Sequence, residues 1–200
     1  MNRPYGMKCG FLEVSLNKLR IIGGDLRRRV ISFPDASGLR PTPDRVRETL
    51  FNWLGQTLYG RTCLDLFAGS GALGFEAASR GAERVVMVEQ NPAVFRALQD
   101  NIAKLACANV FAYRQDGLEF ASRDMHRYDV IFLDPPFQSD CLPRLLEILP
   151  QRLNEDGMIY VESGAALDVP PPWQTIKSGK AGQVHYQLLG IPANDLSGRK

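Results

Sequence analysis

The tetrapeptide Asp134-Pro135-Pro136-Phe137 holds the most reactive combination of side chains in this 200-residue chain. It follows at once on Tyr128–Leu133, a run with strand character. Two successive prolines stiffen the backbone and remove two N–H donors, so the carbonyls before and between them are expected to face outward as acceptors. The corner thus offers the Asp134 carboxylate, the Pro135 carbonyl and the Phe137 ring. That set suits the exocyclic amine of a nucleobase or a planar amide. Such a nitrogen is a weak nucleophile because its lone pair is delocalised. Two acceptors on its two hydrogens favour pyramidalisation and aim the lone pair at an electrophilic methyl, while Phe137 stacks on the ring. Most of the expected gain is positioning and electrostatics, with proton removal late or left to water.

Upstream stands Asp65-Leu66-Phe67-Ala68-Gly69-Ser70-Gly71-Ala72-Leu73-Gly74. Gly69, Gly71 and Gly74 satisfy G-x-G-x-x-G between an expected strand and helix, the context in which that spacing marks a ligand loop. Glu89 ends the next strand, where a carboxylate can accept both hydroxyls of a ribose. That placement fits NAD and S-adenosylmethionine equally. Asp65 separates them: a carboxylate just before the loop repels a pyrophosphate but suits an ammonium and a sulfonium. Asp116, after the third strand, is placed to accept a hydrogen bond from an adenine amine. Three acids at the carboxyl ends of successive strands mark a binding crevice.

Those residues need a scaffold, and the hydrophobic periods describe one. Strand-like runs at Thr62–Phe67, Arg84–Val88, Val110–Arg114, Tyr128–Leu133 and Met158–Val161 alternate with helical patterns at Ala72–Arg80, Pro92–Leu105, Leu118–Ser122 and Cys141–Leu149. Alternation of this kind predicts a doubly wound, Rossmann-like, mostly parallel α/β sheet covered on both faces. Trp173–Lys177 and Val184–Leu189 read as a closing antiparallel pair. Residues 61–200 form the expected catalytic domain. Ahead of it, residues 16–60 read as a small extension: a hairpin turning at Gly23-Gly24-Asp25, then a helix capped by Thr42 with Pro43 at its first position. Val46, Leu50, Trp53 and Leu54 form that helix's apolar stripe, which leaves Arg45 and Arg47 free to meet an anion. Residues 1–15 show no period and read as a leader.

Charge divides along the same line. Residues 1–61 carry eleven Lys and Arg against five Asp and Glu, whereas residues 62–200 carry an excess of four acids. A basic front, densest at Arg27-Arg28-Arg29, suggests a polyanionic partner. No run of about 18 apolar residues exists to span a membrane, and the first twenty residues lack a signal-peptide pattern. Cys9, Cys63, Cys107 and Cys141 are widely spaced, which predicts reduced thiols in a cytoplasmic protein and no metal site.

The Asp-Pro-Pro-Phe motif with the Asp-x-Phe-Ala-Gly-Ser-Gly-x-Leu-Gly loop resembles the class I amino-methyltransferases. More narrowly, Arg20-Ile-Ile-Gly-Gly, the stretch Leu39-Arg-Pro-Thr-x-Asp-Arg-Val-Arg-Glu-Thr-Leu-Phe-Asn-Trp-Leu54, Tyr160-Val-Glu-Ser163 and Ala181-Gly-Gln-Val184 resemble the bacterial RsmD-type 16S ribosomal RNA guanine-N2 methyltransferases. The resemblance covers about residues 18–190 of this sequence. It implies S-adenosylmethionine held by Asp65, Phe67, Gly69, Ser70, Gly71, Gly74, Glu89 and Asp116. Asp134, Pro135 and Phe137 would hold the guanine. Arg27, Arg28, Arg29, Arg45 and Arg47 would contact RNA in the small subunit or an assembly intermediate, with the enzyme acting as a monomer.

Other readings compete with this one. An adenine-N6 DNA methyltransferase would use the same chemistry, but about 60 residues outside the core is little for a sequence-reading domain. A protein-glutamine methyltransferase normally carries Asn where this chain has Asp134. Asp65 and the lack of a hydride-transfer constellation weigh against a nucleotide-dependent dehydrogenase. A non-catalytic RNA-binding protein on a decayed core conflicts with the retention of every cofactor-position side chain.

Overall fold

The computed structural model describes residues 16–36, 39–136 and 141–192; the expected leader at residues 1–15, and Phe137, lie outside the described residues. The chain opens with an antiparallel pair, β1 (Leu16–Arg20) and β2 (Val30–Pro34), in the register Arg20 opposite Val30. Leu19, Ile31 and Phe33 are buried while Lys18 and Arg20 are exposed, the alternation of a one-sided ribbon. The expected hairpin is present, but its turn is longer than Gly23-Gly24-Asp25. Its strands are joined by loop 21–29, which is closed at its base by Ile21 with Arg28 and Arg29 and is also bonded to another element.

That element is α2 (Ala72–Ser79). The Ile22 and Gly23 amides donate to the two carboxylate oxygens of Glu76, at 2.9 and 2.8 Å. The Asp25 amide donates to the Ser79 carbonyl at 2.7 Å, and the Leu26 amide to Ser79 Oγ at 2.9 Å. Gly24 lies so close to the Ser79 carbonyl that a Cβ would collide with it. The basic loop is therefore fastened to the last turn of α2.

Helix α1 (Asp44–Trp53) buries Val46, Leu50 and Phe51. Two expectations about it are corrected. Thr42 makes no capping bond; Pro43 occupies the cap position, and the Thr42 hydroxyl is engaged elsewhere. Arg47 is 0% exposed and so is not free to meet an anion. Its Nη2 donates to Asp44 Oδ1 at 2.7 Å and to the Arg20 carbonyl at 3.0 Å, and its Nη1 donates to Glu76 Oε2 at 3.3 Å. A guanidinium can be buried when carboxylates and carbonyls take its hydrogens, and here they do so for both terminal nitrogens.

The main sheet comprises β3 (Thr62–Asp65), β4 (Arg84–Val88), β5 (Val110–Tyr113), β6 (Tyr128–Leu133), β7 (Leu153–Ser163), β8 (Gln174–Ala181) and β9 (Val184–Gly190). Its order is β5-β4-β3-β6-β7-β9-β8. β3 to β7 run parallel, and β9 and β8 close the edge antiparallel. β3 ends two residues earlier than its apolar run, because the chain turns into the glycine loop at Leu66. Helices α1, α2 and α3 (Pro92–Leu105) pack on one face around Phe51, Phe75, Leu98, Phe132 and Tyr160. Helices α4 (Gly117–Arg123) and α5 (Cys141–Ile148) cover the other, around Leu64, Ile131, Leu145 and Leu146. The sheet thus has helices on both sides and a strand-order reversal between β3 and β6, where such folds bind ligands.

Candidate active site

Three loops converge at the carboxyl ends of β3, β4 and β5. Gly71, at φ 80°, caps α2 in a left-handed conformation, and a Cβ there would lie 2.6 Å from the Phe75 ring. Glu89 Oε2 accepts from the Gly69 amide at 3.0 Å and Glu89 Oε1 from the Asn91 amide at 2.7 Å, which locks the glycine loop to the end of β4. Phe67 lies against Gly117, beside Asp116. Asp116 is exposed and caps α4 by accepting from the Glu119 amide at 2.9 Å.

Asp65 is 3% exposed, and its Oδ2 accepts from the Gly74 amide at 3.0 Å. Gly74 consequently serves Asp65 and the packing of α2 on Met87, where a Cβ would collide, and its amide is committed to Asp65. Burial pushes the Asp65 carboxyl up to about 7, reinforced by the charges of Glu89 and Glu162 and opposed by the Gly74 amide.

β6 delivers Asp134 to the same face as Asp65. Leu133 pairs with Val161, so Asp134 and Glu162 follow side by side on strands about 4.8 Å apart. Phe132 pairs with Asp65 on one side and with Tyr160 on the other, and side chains alternate along a strand. Asp65, Asp134 and Glu162 therefore project from three adjacent strands toward the layer containing α1. Burial raises the Asp134 carboxyl well above the usual range, and the charges of Glu162 and Asp65 add to the effect. Burial also raises Glu162, against the lowering effect of two hydroxyls that donate to its Oε1: Thr42 and Tyr160, both at 2.9 Å. Among the described residues no Lys or Arg forms an ion pair with any of these acids. Nor does any group of three or more His, Cys, Asp or Glu have the arrangement to hold a metal ion. A buried, uncompensated acidic cradle beside a glycine loop is matched to an organic cation.

The structure thus gathers Asp65, Gly69, Ser70, Gly71, Glu89 and Asp134, with Pro135 buried next to Asp134. Arg45 is exposed in the first turn of α1, next to the Thr42–Glu162 contact. Arg27, Arg28 and Arg29 are exposed at the far end of α2, away from the acids. Glu162 was overlooked by the sequence reasoning, which noted it only within Tyr160-Val-Glu-Ser163. An available signal was an acid closing an otherwise apolar strand, as Asp65 and Asp134 do.

A central parallel sheet with an antiparallel edge, a glycine loop after its first strand and an Asp-Pro-Pro corner after its fourth define a class I methyltransferase, and solved structures agree. A putative methyltransferase from Escherichia coli superposes with a TM-score of 0.81 at 38% identity, covering 88% of this chain and 99% of that one. A T. thermophilus 16S rRNA N2 methyltransferase, solved with AdoMet and guanosine, superposes at 0.66 with 27% identity, over 88% of this chain and 49% of that one.

The chain belongs to the family described as Conserved hypothetical protein 95, whose model matches residues 19–190. The Ribosomal RNA small subunit methyltransferase D of Escherichia coli (strain K12) is 41% identical over 176 residues, 86% of this chain and 89% of its own length. The resemblance read from the motifs is therefore shown, and the protein is a methyltransferase. The DNA-adenine alternative is not favoured by relatives named for ribosomal RNA.

Proposed function

We propose that this enzyme transfers a methyl group from S-adenosylmethionine to the exocyclic 2-amino group of a guanine in 16S ribosomal RNA, in the small subunit or an assembly intermediate. The observation that carries the proposal is the pairing of an uncompensated acidic cleft with the stiff Asp134-Pro135 corner at its rim. The bound cofactor would supply an electrophilic methyl and a cationic sulfonium. Gly69, Ser70 and Gly71 would cradle it, Asp65 would face its positive groups, and Glu89 and Asp116 would line its ribose and adenine sides. Glu89 already spends hydrogen-bonding capacity on Gly69 and Asn91, so its first duty is to shape that wall.

Asp134 and the Pro135 carbonyl would take the two amine hydrogens and point the nitrogen lone pair into the cleft. The cofactor's sulfur would retain the electron pair of the broken carbon–sulfur bond, and Asp134 or water would accept one N–H proton from the amine. Phe137, next in the chain, would stack on the base. Arg45 would neutralise phosphate near the target nucleotide, and the Arg27–Arg29 tip would grip RNA further away, with the monomer working in the cytoplasm. Incubating labelled S-adenosylmethionine with small subunits from cells lacking the protein, then mapping the modified base, tests this reading. The expected product is a single N2-methylguanine in 16S RNA; label on adenine, on protein or on no product would reject it.

A further inference from the structure

Glu162 is an ionisable side chain at 4% exposure with no role in the contacts described for either methyl donor or guanine. Its two hydroxyl donors are instructive. Tyr160 stands two residues earlier on β7, but Thr42 is 120 positions away, in the segment preceding α1. That segment is pinned at its other end by Leu39, whose Cδ1 would lie 2.7 Å from a Cβ on Gly69. Residues 39–42 therefore form a strap from the glycine loop to β7, bridging the strand ends on either side of Asp134.

The groups facing the Asp134–Glu162 pair come from every neighbouring element. β3 contributes Asp65, with Glu89 behind it, and β7 contributes Tyr160. β9 places Tyr186 behind that ring, with centroids 6.4 Å apart. The strap and α1 also carry the cations Arg40 and Arg45, but both are exposed and, among the described residues, neither forms an ion pair with these acids. With Glu162 buried and Asp134 half-buried on neighbouring strand ends, the charge of each raises the cost of ionising the other, which favours one retained proton. The hydroxyls stabilise charge on Glu162, which leaves the proton on Asp134.

We propose that Glu162, held by Thr42 and Tyr160, is a positioning residue that shares one proton with Asp134 and lets it go when the cationic methyl donor enters. Asp134 then becomes a charged acceptor for the substrate amine only in a loaded cleft. This inference rests on the S-adenosylmethionine reading above. The step breaks only the Asp134 O–H bond: its electron pair stays on the carboxylate, and the proton passes to solvent. The sulfonium charge then balances the new anion.

Calorimetric titration of the intact protein with S-adenosylmethionine, in buffers of unequal ionisation heat, counts the protons released on binding. At pH 7 the wild type should release up to about one, Glu162→Gln less than about half as many, and S-adenosylhomocysteine, uncharged at sulfur, should release fewer from the wild type. The acidic limb of the methyl-transfer pH profile gives a second readout. It should move to lower pH by about one unit in Glu162→Gln, which removes the neighbouring charge. It should move to lower pH by a smaller amount in Thr42→Val, which removes a donor that holds charge on Glu162 and so draws the shared proton away from Asp134, and return in Thr42→Ser. Equal proton release from wild type and Glu162→Gln, or an acidic limb that moves to higher pH in either Glu162→Gln or Thr42→Val, would overturn the proposal. A wild type that does not bind S-adenosylmethionine would instead overturn the cofactor reading, and this inference with it.

Discussion

Two buried glutamates lie on the same side of the sheet and have opposite characters. Glu76, at 0% exposure, receives the amides of Ile22 and Gly23 and the guanidiniums of Arg47 and Arg80. Arg80 also stacks on Phe51, 4.7 Å from the ring centroid. Among the described residues, Glu162 receives only two neutral hydroxyls, and it faces two further acids. Charge at Glu76 is balanced within the fold and holds the basic loop in place. Charge at Glu162 is left for a visitor to balance. Burial of an acid therefore says little by itself; the partners decide whether it braces the structure or waits for a ligand.

The contrast is broken most directly by Glu76→Ala. This change should destabilise the protein by roughly 3–5 kcal/mol, because it strands Arg47 in the interior; chemical denaturation measures it, and a loss below about 1 kcal/mol would remove the bracing role. Next comes Asp134→Ala, expected to lower methyl transfer at least about 100-fold while the thermal midpoint stays near wild type. Normal turnover in that variant would end the proposed grip on the amine. Replacing Arg27, Arg28 and Arg29 together with Ala should reduce the slope of log affinity for RNA against log salt by about two to three, with cofactor binding unaffected. An unchanged slope would place the RNA surface elsewhere.

The smallest effect concerns pH. The folded Asp65 carboxyl titrates at about 7 against an ordinary value of 3.8, so the folded protein binds that proton more tightly than the unfolded chain. Its contribution to stability is present below about pH 4 and lost as pH rises through about 7. Urea midpoints measured from pH 5 to 7.5 should fall in the wild type and fall less in Asp65→Asn.

Local chemistry was the readable part of this sequence. Asp134-Pro-Pro and the Gly69–Gly74 stretch announce themselves because adjacent residues set their geometry, and alternating strand and helix periods carried the sheet. Side chains whose role depends on distant partners were not readable. Arg47 looked free because it lies off the apolar stripe of Val46, Leu50, Trp53 and Leu54, yet Glu76, 29 positions on, draws it into the core. Thr42 had the type and place of a cap, but a carboxylate 120 residues away offers its hydroxyl a buried acceptor, against a solvent-exposed backbone amide. Gly74 fitted the glycine spacing, but its amide was already committed to Asp65.

The fastening of loop 21–29 to the last turn of α2 has a geometric corollary. The helix begins at the loop that would cradle the methyl donor and ends at the arginine tip, and its eight residues span about 12 Å. If the arginine tip grips phosphate as proposed, a stiff rod of fixed length between it and the reaction centre would act as a caliper. An RNA whose backbone lies at the wrong offset from its target base could satisfy one jaw but not both, so selection among guanines would follow from measurement as well as from letter.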